Sequence, residues 1–453
     1  MMPTLTGCSM SETKLPPADE TVAQRPTGGT WVATGKKAVV LFLLAVPFLA
    51  YVLCLQRLAV NIPFEDDYDA VLRFMLEFLR AGSWGEKLTL LFSQHNEHRL
   101  VFDRIIFLAS YYLCGELNFV YFIAIGNLGW LLTVVLLIRY SRKRYGLSLA
   151  AILPIPYLLL AFTHFENMFF AMASLSNYWF FLFSLTFIIC LVEERPAACC
   201  LLFPIALFTS GGGVVLYPLG SLYFAARKSW KSAAWFGSLS TLWVACYFIG
   251  YHHPSWHPKP FEALASPGRV LHFMFDFLGN IWQVPNLPVS VEPLSFITGI
   301  ALTLVATYIL YAKRFDPFFW LIFAYIAISV FTSSLARSGF GIMYALESRY
   351  SIYPLFTTAC CVVGAASLSL RNPSCKWLTM SAIVLSILFW GVMSVEKSQL
   401  QDLWQQRQNR VVGMNAFTTG VIGGLFYSNQ YQAAQILLSS QRAHIYNYKY
   451  IAQ

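Results

Sequence analysis

The sequence predicts an all-α polytopic membrane protein with about eleven transmembrane helices and interfacial helices in its first outer loop. Three observations predict it: the composition, the recurrence of long apolar runs, and the basic residues that punctuate them. Of 453 residues, 57% are hydrophobic and only 12% charged, whereas soluble domains carry about 25% charged residues. Most of the surface therefore does not face water. The net charge of +9 does not imply nucleic acid, because the basic residues stand in short clusters between apolar runs, where they fix membrane orientation.

A spanning helix needs about 20 apolar residues. Runs read against their flanking charges give spans at 38–60, 118–138, 147–163, 178–192, 197–209, 214–226, 233–250, 294–311, 318–331, 351–370 and 377–395. The two runs around Gly211, Gly212 and Gly213 are short and could form one re-entrant pair. Lys36 and Lys37, the cluster Arg139 to Arg144, Arg227 with Lys228 and Lys231, Lys313 with Arg314, and Arg371 with Lys376 then share one side. The positive-inside rule makes that side cytoplasmic. The expected location is a bacterial inner (plasma) membrane, with a cytoplasmic N-terminus and a periplasmic C-terminus. The run after Lys37 lacks a small-residue cleavage site and reads as an uncleaved first helix.

The domain reading follows. Residues 1–35, polar and rich in Thr, Pro and Gly, read as a disordered cytoplasmic segment. Residues 36–395 form the transmembrane domain, with periplasmic loops at 61–117, 164–177, 251–293 and 333–350, and 396–453 form a periplasmic tail. Within the first loop, apolar residues at helical spacing between Tyr68 and Leu79 and between Leu100 and Leu113 are interrupted by Arg73, Glu77, Asp103 and Arg104. That pattern suits helices lying along the membrane. Most of the ten cysteines, Cys360 and Cys361 among them, sit inside apolar runs and show no CxxC or zinc spacing.

The polar residues that could carry chemistry gather on the outer side. Glu65, Asp66, Asp67 and Asp69 follow the first span directly. Adjacent carboxylates repel, which raises at least one pKa and can supply a general base; a helix N-terminus also favours such residues. Between Gln94 and Arg99 stand His95, Glu97, His98 and Arg99. Histidine moves protons near neutral pH, and arginine holds a phosphate bidentately. His95, Glu97 and His98 could instead take a divalent metal, although their spacing is no recognised ligand pattern. Glu166 and Asn167 close the third span, and Arg337, Glu347 and Arg349 precede the tenth. An arginine at membrane depth needs a partner, a lipid phosphate or Glu347. His252, His253 and His257 lie in a proline- and tryptophan-rich loop that reads as structural or as a lid over substrate. No P-loop, GxSxG elbow or Rossmann fingerprint is present.

A first span, an acidic pair at Asp66 and Asp67, interfacial helices and a histidine motif from His95 to Arg99 ahead of the second span together resemble the GT-C superfamily of membrane glycosyltransferases. Protein O-mannosyltransferases and the aminoarabinose transferases of lipid A share that plan, the former with His-Pro-Pro where this chain has His95 to Arg99. The resemblance covers the architecture of most of the chain through short motifs. It implies transfer of a sugar from a polyprenyl-phosphate carrier to a lipid or glycan acceptor of the cell envelope. In that reading Asp66, then Asp67 or Glu97, serves as catalytic base or its support. Arg349, Arg99 and Arg337 meet the donor phosphate. His95, His98, Glu166, Asn167 and Glu347 orient the acceptor or the base. No cofactor is assigned, and a divalent metal stays open. The other reading is a transporter or flippase of a lipid-linked sugar.

Overall fold

The computed structural model describes residues 29–284, 290–370, 372, 374 and 376–448. The segment 1–28, most of the expected disordered N-terminus, and Arg371 lie outside the described residues. Residues 29–35, expected to be disordered, belong to the first helix, Gly29–Leu58.

The described residues are helical throughout, with no strands and one isolated bridge between His95 and His98. Among the described residues, seven helices are long and apolar enough to cross a membrane, the build of a multi-pass membrane protein. They include Gly35–Leu58, Phe119–Tyr145, Ala171–Val192, Val291–Ala312 and Pro317–Phe340. Two shorter apolar helices follow, Pro196–Leu207 and Gly211–Ala226, the second opening on the glycine triplet. Side chains such as Phe42, Leu49, Leu53, Ile297 and Leu304 are exposed along these helices. Such outward apolar surface is stable only against lipid or another apolar partner.

The run at 147–163 is not one helix. A six-residue helix, Pro154–Leu159, is followed by extended Ala161 and a 3-10 turn, Phe162–His164. Pro154 and Pro156 lack the amide hydrogens that an unbroken helix needs at this point. The polar groups freed by the break find partners inside the protein. Trp130 Nε1 donates to the Leu159 carbonyl at 2.7 Å, and the Phe162 amide donates to Ser394 Oγ at 3.1 Å. The segment nonetheless climbs beside the first helix. Tyr157 bonds the carbonyl of Leu43, and Phe162 meets the ring of Tyr51 two turns further on.

Side-chain contacts sort the loops into two sets, one at each end of the bundle. At one end Arg144 pairs with Asp316 at 3.0 Å and Arg227 with Glu194 at 2.6 Å. At the other, Asn61 accepts from the Phe119 amide, and Tyr446 donates to the Asn61 carbonyl. The first loop forms the helices Phe74–Arg80, Trp84–Leu91 and Val101–Cys114 at this second end. The tail, in which the sequence displays no motif, folds back over them as the helices Lys397–Thr418 and Gln430–Arg442. Val411, Met414, Ala433, Leu437 and Tyr446 pack with Tyr68, Val71, Met75, Phe107 and Phe119 into a separate apolar core. Elsewhere, the helices Pro267–Gly279 and Val291–Ala312 touch backbone to backbone. A Cβ on Gly279 would fall 1.7 Å from the Ser295 carbonyl oxygen, and one on Gly299 would fall 1.9 Å from that of Phe275.

Candidate active site

The helix Gly29–Leu58 delivers the chain to a tight bend in which Glu65 has φ +48°. The bend turns Asp66 and Asp67 in different directions. Asp67 is 1% exposed, and its two oxygens accept the backbone amides of Phe64 at 3.1 Å and Met172 at 2.9 Å. Both oxygens are thereby occupied in joining the first loop to the chain around Met172. Burial pushes its carboxyl up to about 7, against the two amide bonds and the guanidinium of Arg410, with the charge of Asp66 adding to the rise.

This pKa yields a prediction. The folded-state value lies above the unfolded value of about 3.9, so the proton favours the fold. That contribution is complete below about pH 4 and is lost as the pH rises through about 7. Thermal melting of the detergent-solubilised protein should fall more steeply between pH 5 and 8 than that of Asp67→Asn. Parallel curves would show that this carboxyl does not titrate in that range.

Asp66 points elsewhere. Its side chain is 39% exposed, with Oδ2 3.8 Å from His95 Nε2 and 3.3 Å from the donating Asn96 Nδ2. Burial alone would raise its pKa; His95, Arg349 and His98 outweigh burial and hold the carboxyl below its usual range. Asp66 is therefore an anion at neutral pH with an oxygen accessible to a ligand.

The histidine motif folds as a two-residue turn. His95 and His98 exchange backbone hydrogen bonds at 2.7 and 2.8 Å, and Asn96 takes the left-handed conformation, φ +48°, that asparagine tolerates. The turn fans its side chains apart, so that His95, Glu97 and His98 do not form one metal-ligand set. His95 faces Asp66, and Glu97 pairs with Arg337 at 2.8 Å and with His257 Nδ1. His98 Nδ1 accepts the Gly211 amide at 3.1 Å, and burial lowers the pKa of its imidazole. Glu97 stays ionised, because His98, Arg337 and His257 outweigh the burial that would raise it.

The Arg99 guanidinium, expected from the sequence to meet the donor phosphate, is turned to backbone carbonyls. It is 8% exposed and donates to the carbonyls of Tyr247 at 2.6 Å, Ile249 at 2.5 Å and Phe92. All three donating nitrogens are committed to backbone. Glu166, Asn167, Glu347 and Arg349 do come together. Glu166 Oε2 accepts the Arg349 amide at 3.0 Å, Asn167 Nδ2 donates to the Arg349 carbonyl at 2.7 Å, and Ser348 Oγ accepts the Glu166 amide. The Arg349 guanidinium pairs with Glu347 and lies over the rings of Tyr344 and Tyr350, near enough to help hold the Asp66 carboxyl low and to oppose the burial that raises Glu65.

Asp66, His95 and Asn96 line a cavity of about 540 Å³. Its other walls carry Asp69, Arg73, Glu77, Arg104, Trp256 and Tyr427. Arg337 and Arg349 are not in the lining; the cavity's own guanidiniums are Arg73 and Arg104, which the sequence shows only as interruptions of helical patterns. Arg73 pairs with Asp69 at 2.9 Å, and Tyr427 of the tail bonds Asp69. Arg410, also from the tail, is buried against the Phe64 ring at 3.8 Å and donates to the Phe169 carbonyl. His257 proves to be part of the Glu97 and Arg337 cluster rather than a bystander in its loop. No local sequence signal marks Tyr427 or Arg410, since each acquires its role only when the tail folds back.

Compared with known proteins, the chain matches no family model, no curated protein and no solved structure.

Proposed function

We propose that this protein is a GT-C-like membrane glycosyltransferase that moves a sugar from a polyprenyl-phosphate carrier to a lipid or glycan acceptor on the periplasmic side of a bacterial inner membrane. The observation that carries the reading is the divergence of the acidic pair. Asp67 is committed to two backbone amides, whereas Asp66 reaches a cavity of about 540 Å³ beside His95, a size suited to a small ligand.

In the proposed reaction the acceptor hydroxyl oxygen bonds to the anomeric carbon. The bond between that carbon and the phosphate oxygen breaks, and polyprenyl phosphate departs with the electron pair. Asp66 takes the hydroxyl proton, and His95 with Asn96 holds the carboxylate in place. Charge growing on the departing phosphate calls for guanidinium groups. Arg349 on one side of Asp66, and Arg73 on the cavity wall, are the groups available; Arg104 is buried and donates to the carbonyls of Leu90, Leu91 and Ser93.

The proposal includes about eleven passes, an inside N-terminus and an outside C-terminus. It is supported by the two sets of contacts at opposite ends of the bundle, by the shorter helices and the broken segment that connect them, and by the basic clusters at the end where Arg144 meets Asp316. With that orientation the cavity lies on the periplasmic side, where a lipid-linked donor can arrive sideways from the bilayer.

The test uses membranes containing the protein and a radiolabelled polyprenyl-phosphate sugar. Release of polyprenyl phosphate together with a labelled acceptor is expected. Movement of the intact donor between leaflets without cleavage would replace this reading with that of a flippase.

A further inference from the structure

Away from the Asp66 cavity, the helices Pro267–Gly279 and Val291–Ala312 bring together three groups that the sequence reading did not single out. His272 and Asp276 stand four residues apart on one helix, a spacing that places them on one face. Glu292 enters from the first turn of the other helix. His272 Nε2 lies 2.7 Å from Glu292 Oε1 and 3.4 Å from Asp276 Oδ2, and one ligand atom from each of the three residues lies within 4.8 Å of the others. The His272 ring is steadied edge-on by Phe296, at 4.6 Å between centroids.

Asp276 supplies an independent observation. Its side chain is 0% exposed, and neither carboxylate oxygen is hydrogen-bonded among the described residues. A buried carboxylate without donors is costly, and proteins meet that cost with a paired charge, a proton or a metal ion. A histidine paired with Glu292 would explain the 2.7 Å contact alone and leave Asp276 unserved. A cation between the three groups serves all of them.

We propose that His272, Asp276 and Glu292 form a divalent transition-metal site, suited to zinc, that clasps this helical hairpin. One imidazole nitrogen and two carboxylate oxygens are zinc ligands, and three protein ligands leave a fourth position for water. In a tetrahedral site with bonds near 2.0–2.1 Å, ligand atoms stand roughly 3.3 Å apart. The contacts of 2.7 and 3.4 Å bracket that spacing, so small side-chain rotations suffice. A nitrogen ligand argues against calcium and magnesium, which favour all-oxygen sites. His272 is 42% exposed, which gives the ion a route in. The placement is structural rather than catalytic. Four residues beyond Asp276, Asn280 donates to the carbonyls of Ala345 and Glu347, so the clasped hairpin supports the segment that carries Arg349. The inference does not depend on the transferase reading.

The test is zinc content of the full-length protein, purified in detergent, equilibrated with zinc and desalted against excess magnesium. Roughly one zinc ion per chain is expected, with at least about tenfold weaker binding in His272→Ala and in Asp276→Asn. Zinc should raise the melting temperature of the parent protein and not that of either variant. Asp276→Asn keeps the shape of the side chain and answers the question if His272→Ala does not fold. Absence of bound zinc in the folded parent, or zinc retained in full by folded Asp276→Asn, overturns the proposal and leaves a histidine–glutamate ion pair.

Discussion

Replacing Asp66 by asparagine is expected to lower sugar transfer by about 10²- to 10⁴-fold, the contribution of a positioned general base, while the protein still folds, with only a small fall in melting temperature from the lost attraction to His95 and Arg349. The reason lies in how little the fold asks of this side chain. Among the described residues its side chain accepts one hydrogen bond, a long one of 3.3 Å from Asn96, and approaches His95 at 3.8 Å. Asparagine fills the same volume and still accepts through one oxygen, but it cannot take the proton of an acceptor hydroxyl. The variant therefore separates chemistry from architecture. Labelled sugar transfer and melting are measured on the same preparation. Near-normal transfer in a folded Asp66→Asn protein would remove the carboxylate from the mechanism. Its neighbour cannot stand in, because both oxygens of Asp67 hold backbone amides.

Arg99→Ala is expected to do the reverse, with its primary effect on folding. The guanidinium joins the stretch from Phe92 to Arg99 to the carbonyls of Tyr247 and Ile249, at the end of the helix Trp230–Phe248. Its loss leaves three carbonyls without a donor. At about 1–3 kcal/mol for each buried unsatisfied group, offset where water enters, the variant should lose about 3 kcal/mol or more. Lysine cannot restore the protein, because a single ammonium does not reproduce the planar fork that spans the three oxygens. Denaturation in detergent measures the loss. Unchanged stability in Arg99→Ala, with weakened donor binding, would return this residue to the phosphate-binding role that its type suggested.

The contrast between Arg99 and Asp66 shows where the sequence was legible. Side-chain chemistry and proximity in the chain marked both as site candidates, and both do stand at the same end of the bundle. What each one touches could not be read, because the partners of Arg99 are carbonyls 148 and 150 residues away. Glu166 and Arg349 lie in separate polar segments of the sequence, and their contact through backbone amides and carbonyls is a tertiary fact. Apolar runs were readable as membrane helices because an 18- to 25-residue stretch must satisfy its own backbone hydrogen bonds in lipid. The run at 147–163 is legible as a span in the same way, but not as a broken helix. Its composition is that of a span, but Pro154 and Pro156 break it and the surrounding helices supply the missing partners.

The sequence by itself determined that this is a helical, multi-pass chain whose acids, imidazoles and guanidiniums gather in the segments between apolar runs. Hydropathy and charge act locally, and a few dozen residues suffice to express them. Tertiary structure alone decided that Asp66 rather than Asp67 reaches a cavity and that Arg73, Arg104 and Tyr427 complete its walls. It alone brought His272, Asp276 and Glu292 together. A side chain's role depends on which distant backbone and side-chain groups satisfy it once water is excluded, and those groups are chosen by packing rather than by neighbours in the chain.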